Sequence, residues 1–210
     1  MRGWKVAAVL LGVGCGPVSI DGEVDGQSVG GARDAIWDEF EVDLGPLGSY
    51  QYTAVILTDV HDACEVTDAF AEALREESDC ESLCEVYLDT VEQWELSTEG
   101  YWTLSLFANT SDDEAGEFAF DPLAEAGEFD ATFSRIDSSD LVGQSECEDA
   151  CEDRELLESS EDDGEDGTLE LEAAEGEELS GTFTVEFGGA DLLEGDFTAT
   201  RCDMTDWFGF

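Results

Sequence analysis

The spacing of apolar residues changes period several times along the chain, and those changes predict its elements. In residues 16–31, Ile20, Val24 and Val29 stand among glycines and polar residues, which reads as a tether running into a first edge strand. Residues 50–57 begin with alternation and end as a continuous apolar run, the pattern of a strand buried on both faces and central in its sheet. From Asp62 the period lengthens. Val66, Ala69, Phe70, Ala73 and Leu74 fall on one helical face, with Asp62 placed to cap it. Ser78 and Asp79 mark a break, after which Cys80, Leu83, Cys84, Tyr87, Leu88 and Val91 form a second helical face.

Alternation returns at Trp102, Leu104, Leu106 and Ala108, at Phe118 and Phe120, and at Phe129, Ala131 and Phe133, predicting three more strands. Residues 138–157 read as a helix with Cys147, Ala150, Cys151 and Arg154 on one face. Acidic residues dominate the stretch 146–178, and its middle, residues 159–167, is expected to be a mobile solvated loop. Leu169 and Leu171, then Phe183, Val185 and Phe187, then Phe197 and Ala199 close the chain in strands, with Gly176, Gly188, Gly189 and Gly195 at turns. Strands, helices, strands, one helix and strands again do not make the regular βαβ alternation of a parallel sheet. The expected fold is mainly β, of the α+β kind: an antiparallel β-sandwich with helical insertions near residues 62–95 and 138–158, in one domain spanning 32–210. There is no internal repeat.

The first 14 residues have the parts of a secretory signal: Arg2 and Lys5, an apolar run over residues 6–11, and a small-residue zone at 12–14. The apolar run falls short of the roughly 20 residues that span a bilayer. Leu11-Gly12-Val13-Gly14-Cys15 resembles the lipobox of bacterial envelope lipoproteins. That resemblance implies cleavage before Cys15 and a lipid thioether on it, so that residues 15–31 become a membrane-anchored tether. The lipobox leucine usually stands three residues before the cysteine, and here Leu11 stands four before it, which leaves plain secretion as the alternative. Gly16, in place of the aspartate that retains such proteins at the inner membrane, implies the outer membrane. The pattern Gly181-Thr182-Phe183-Thr184-Val185-Glu186-Phe187, followed by residues 193–199 and Cys202, is similar to the closing hairpin of bacterial surface lipoproteins. It implies β architecture and an envelope location, and no activity.

Charge narrows the partners. The chain has 55 acidic residues against 7 basic ones, and Arg2 and Lys5 leave with the signal. Such a surface repels phosphate backbones, so nucleic acid is excluded as a partner. The remaining expectations are the membrane, through the lipid, and a protein or glycan partner in the envelope. Adaptation to a saline habitat and divalent cation binding both account for the charge.

Seven cysteines leave one over in any oxidised pairing, and lipidation of Cys15 removes the odd one. Cys64, Cys80, Cys84, Cys147, Cys151 and Cys202 are then candidates for three disulfides. The two Cys-x-x-x-Cys spacings put both sulfurs on one helical face. If those helices lie antiparallel, Cys80 can meet Cys151 and Cys84 can meet Cys147, leaving Cys64 for Cys202. This pattern resembles the twin Cys-x3-Cys helical hairpin of small stapled proteins. It is the preferred one of fifteen connectivities. A zinc site of four thiolates is the rival, disfavoured by spacing and compartment.

Candidate chemistry is sparse. Asp59, His61 and Asp62 flank the end of the predicted central strand and contain the single histidine, a candidate metal ligand or general base. The plainer alternative is an exposed turn capping a helix. Asp162, Asp163 and Asp166 invite a calcium reading. Set on an EF-hand loop with Gly167 sixth, Asp162 and Asp166 fit the first and fifth places, but Gly164 falls third and Ala173 twelfth. Residues 21–26 fail in the same way, with Ala32 twelfth. A weaker, extracellular type of calcium site is the form left open. No Gly-x-Ser-x-Gly elbow accompanies His61. The aromatics of residues 207–210 are expected to close the bottom of the core, with a partner-docking patch as the alternative. A terminal phenylalanine resembles that of outer-membrane barrels, but Asp206 interrupts the alternation. The functional expectation is a non-catalytic envelope module, with an extracellular calcium-binding module and a hydrolase using paired carboxylates as alternatives.

Overall fold

The computed structural model describes residues 18–43, 49–76, 79–93, 100–111, 114–122, 125–136, 143–153 and 159–204. The signal segment, Cys15 and the aromatic residues 207–210 lie outside them. In chain order the elements are β1 (Val18–Val24), β2 (Gln27–Ser28), β3 (Asp34–Asp43), β4 (Ser49–Thr58), α1 (Ala63–Glu76), α2 (Cys80–Gln93), β5 (Tyr101–Asn109), β6 (Gly116–Phe120), β7 (Glu128–Ile136), α3 (Gln144–Asp153), β8 (Ser159–Leu171), β9 (Glu178–Phe187) and β10 (Asp191–Arg201). The protein is mainly β with helical insertions and three disulfides, as the sequence predicts. Among the described residues, no helix is long and apolar enough to cross a membrane.

The ten strands belong to one mixed sheet rather than two antiparallel ones. Its ladder runs β10–β3–β4–β5–β7–β8–β9, and β9 pairs again with β10, so the ladder returns to its start as a barrel. Closure removes the edges that open sheets must protect. β6 is wedged between β7 and β8, while β1 lies along β10 and turns back as the short strand β2. Two ladders are parallel, β10–β3 and β6–β7, which an all-antiparallel sandwich lacks. Alternation reports which side chains of a strand face inward. It does not report how many sheets share the core, and that is why closure is absent from the sequence pattern.

β4 occupies the predicted place between β3 and β5, and its residues Thr53, Ala54 and Val55 are all buried. Val55 and Leu57 face the barrel interior, with Leu104 and Leu106 of β5 and Phe129 and Phe133 of β7. Each such side chain is worth about 1.5–3 kcal/mol when fully buried. Ala54 faces the other way, into an outer cluster with Ile36, Ala63, Cys202 and Met204.

The segment expected as a mobile acidic loop is instead part of β8, paired with β7 over residues 159–163 and with β9 from Gly164 onward. Its inward places are taken by Asp162, Gly164 and Gly167, so no apolar alternation marks it. A Cβ on Gly164 would lie 2.8 Å from the Phe120 ring, and one on Gly167 would lie 2.2 Å from the Thr184 carbonyl oxygen. The neighbouring strands thus supply the apolar cover that β8 lacks. A register shift between Gly164 and Asp166 marks a bulge that carries Glu165 out of the ladder.

The seam between β10 and β3 is the narrowest part of the ring, with Thr200 opposite Ile36 and Arg201 opposite Trp37. Other contacts widen it. The Trp37 indole donates to the Glu177 carbonyl at 3.1 Å, and the Arg201 guanidinium lies 5.3 Å over the Trp37 ring. Arg201 also pairs with the buried Asp38 at 3.5 Å, whose other oxygen accepts from the Met204 N–H at 3.0 Å. The Cys64–Cys202 disulfide ties the start of α1 to the same place.

The helices attach on the outside. The first N–H of α1, at Ala63, donates to Asp34 Oδ2 at 2.8 Å, so the capping carboxylate comes from β3 and not from Asp62. Asp79 caps α2 through the Ser82 N–H at 3.0 Å. α2 and α3 share a small core of Cys84, Tyr87 and Cys147, separate from the barrel interior. Cys80 is bonded to Cys151 and Cys84 to Cys147, which together with Cys64–Cys202 is the connectivity preferred from the sequence. These four sulfurs are therefore not available as zinc thiolates.

Candidate functional site

The three sequence candidates at the end of β4 sit in different surroundings. Asp59 is half-buried, and its Oδ1 accepts the Trp102 N–H at 2.9 Å, fastening the β4 end to the start of β5. Burial raises its pKa above the usual carboxylate value, while that hydrogen bond and the nearby Arg33 and Arg135 pull the other way. His61 and Asp62 are exposed, and Asp62 adopts φ 52° as the chain turns into α1. Asp59 is thus a strut between strands, with the histidine facing water. Beside it, burial drives the Tyr101 phenol well above its usual pKa, reinforced by Tyr87 and Asp59. No sequence signal marked that grouping of two tyrosines and a carboxylate.

The acidic candidates are separated by the geometry of β8. Successive side chains on a strand point to opposite faces, so Asp162 and Asp163 diverge. Asp162 stands opposite Phe133 and is half-buried, Asp163 stands opposite Thr132 and is exposed, and Asp166 lies beyond the bulge opposite Glu186. The Asp166 Oδ1 accepts from the Gly167 N–H at 2.7 Å, a local turn-like contact.

Asp162 instead joins residues distant in sequence. Its pKa is raised first by burial and next by Asp25 of the β1–β2 turn, with Asp191 and Asp163 adding to the effect and Arg135 opposing it. The Asp25 N–H donates to Asp191 Oδ2 at 2.7 Å, holding the β1–β2 turn against the start of β10. Asp25 has φ 57°, an uncommon backbone region that aspartate tolerates better than most residues. Arg135 lies 5.5 Å over the Phe133 ring and donates to the Gln27 side chain. Asp162 is thus influenced by Asp25, Asp191 and Arg135, which come from three other segments of the chain. A second acidic place lies on the outside of β7. There burial raises the pKa of Asp130, with Asp163 and Asp121 adding to it.

Like charges that influence one another favour a cation nearby. Among the described residues, however, no three His, Cys, Asp or Glu side chains are grouped so as to hold a metal ion. The sequence pattern tests Asp25 only within the failed calcium loop of residues 21–26 and gives no sign of Asp191, because the two meet across segments far apart in the chain. Comparison with family models, with curated proteins and with solved structures finds no match to this chain.

Proposed function

We propose that this protein is a non-catalytic module of the bacterial cell envelope, anchored by a lipid on Cys15 and serving a structural or interaction role there. The observation that supports this reading best is the cysteine pairing. Six of the seven cysteines are joined in three disulfides, and the one left over stands at the lipobox-like position. Disulfides of this kind persist in oxidising compartments. Gly16 after the lipid site favours the outer membrane. The acidic surface disfavours anionic partners, so the partner in this reading is a neutral or cationic protein surface or an envelope glycan.

The intact mass of membrane-extracted protein tests the anchor. A chain starting at Cys15 with the added mass of a lipid is the expected result, and Cys15→Ser should release the protein from the membrane. A chain starting at an unmodified residue would overturn it in favour of plain secretion.

The crowding of Asp25, Asp162 and Asp191 supports a second reading, an extracellular calcium-binding module. Thermal unfolding with calcium titrated against sodium and magnesium at matched ionic strength separates the two. A saturable rise with calcium alone would favour the calcium module. Equal rises with all three salts would assign the effect to screening of the acidic surface.

A further inference from the structure

The three disulfides differ in what a thiol arriving from solution can reach. Cys84 and Cys147 are both fully buried in the small core between α2 and α3. Cys64 is part-exposed, but its partner Cys202 is buried in the outer cluster with Ile36, Ala54 and Met204. The Cys80–Cys151 bond alone has both of its cysteines part-exposed.

Exchange requires more than access. A thiolate attacks one sulfur of the bond, and the other sulfur must leave as a thiolate. Attack on Cys64 would leave the Cys202 thiolate in apolar surroundings, which raise the pKa of a thiol and make it a poor leaving group. Attack on Cys202 would first need that buried residue uncovered. Neither obstacle applies at Cys80–Cys151. Cys80 is the first residue of the 14-residue helix α2, where the N–H groups and the helix dipole favour a thiolate. Cys151 lies in the last turn of α3, where the carbonyl end of the helix disfavours one. The exposed Asp79 and Glu81 repel anionic reductants and leave neutral ones free to approach.

We propose that Cys80–Cys151 is a thiol-exchange site for a neutral dithiol, attacked at Cys151 and released at Cys80. The incoming thiolate bonds to the Cys151 sulfur, and the Cys80 sulfur departs with the electron pair of the broken bond. The second thiolate of the reductant then attacks its own sulfur in the mixed disulfide, and Cys151 departs in turn. The dithiol is oxidised to its disulfide and the protein bond is reduced by two electrons. The two protons lost by the dithiol to water return from water to Cys80 and Cys151. Four residues along each helix, the buried Cys84–Cys147 bond stays closed, so the helices remain joined while their ends at Cys80 and Cys151 come free.

The test blocks free thiols in the folded full-length chain, adds limiting dithiothreitol without denaturant, labels the released thiols with iodoacetamide and maps them by mass spectrometry. Labels on Cys80 and Cys151 are expected ahead of those on the other four cysteines, with helical circular dichroism retained at that stage. Direction is read with mercaptoethanol, quenched early, which should be found joined to Cys151 with Cys80 labelled. Earlier release of Cys64 and Cys202, release of all three bonds together, or mercaptoethanol joined to Cys80 would overturn the proposal. In a chain carrying Cys80→Ser and Cys151→Ser the early release of thiols should vanish. Early release that persists unchanged in that variant would equally overturn it.

Discussion

The barrel and the α2–α3 pair are held together by different means. In the barrel, strands from both halves of the sequence bury leucines and phenylalanines in one continuous interior. The helix pair has a buried core of Cys84, Tyr87 and Cys147, with Leu88, Val91 and Cys151 packed at its margin. A core that small supplies little hydrophobic free energy, and isolated helices of 14 and 10 residues are marginal in water. Two disulfides make up the difference by limiting the freedom of the unfolded chain. The contrast shows how a chain with almost no cations can carry helices covered in carboxylates: it fastens them covalently and leaves packing to the barrel.

The sharpest way to break the contrast is from the barrel side. Phe133→Ala removes a fully buried ring that stacks with Trp102 and meets Phe187 edge-on. It should cost about 3–5 kcal/mol in chemical unfolding. Loss of the Cys84–Cys147 bond through paired alanine substitutions should cost about 2–4 kcal/mol. That cost should fall on the helix pair, read as lost helical circular dichroism while the near-ultraviolet signal of Trp102 persists. Gly167→Ala should cost about 1–3 kcal/mol, because the new Cβ meets a backbone oxygen that cannot swing aside.

The smallest effect concerns charge. The raised pKa of Asp162 means that the folded state holds its proton more tightly than the unfolded chain does. Its stabilising contribution is therefore fully present below the ordinary value of 3.8 and lost as pH climbs through the raised one. Asp59 and Asp130 share that sign. Melting temperature should accordingly rise as mildly acidic conditions are approached from neutrality. Asp162→Asn should raise stability at neutral pH by roughly a few tenths of a kcal/mol, the scale of like-charge relief between strands.

The same contrast divides what could be read from the sequence. The helices and their disulfides were legible because spacing on a helix is local: residues four apart share a face, and only antiparallel packing had to be added. β4 was legible for a similar reason, its run of Ala54, Val55, Ile56 and Leu57 being long enough to mean burial on both faces. The first part of β8 was hidden because its inward places are Asp162 and two glycines covered by neighbouring strands, while Leu169 and Leu171 marked its end. β3 was hidden as well, since Asp38, Glu39 and Glu41 break its apolar pattern, and Asp38 is buried only because Arg201 and the Met204 N–H satisfy it. Barrel closure and the gathering of Asp25, Asp162 and Asp191 depend on which distant segments meet, and no local period carries that information.

Amide hydrogen exchange on the variant Cys80→Ser, Cys84→Ser, Cys147→Ser, Cys151→Ser tests most directly whether the barrel stands without its stapled helices. Protection should vanish across α2 and α3 and persist in β4, β5 and β7 at the level of the parent protein. Simultaneous loss of protection in helices and strands would contradict the account, because the barrel would then depend on the staples it is held here to do without.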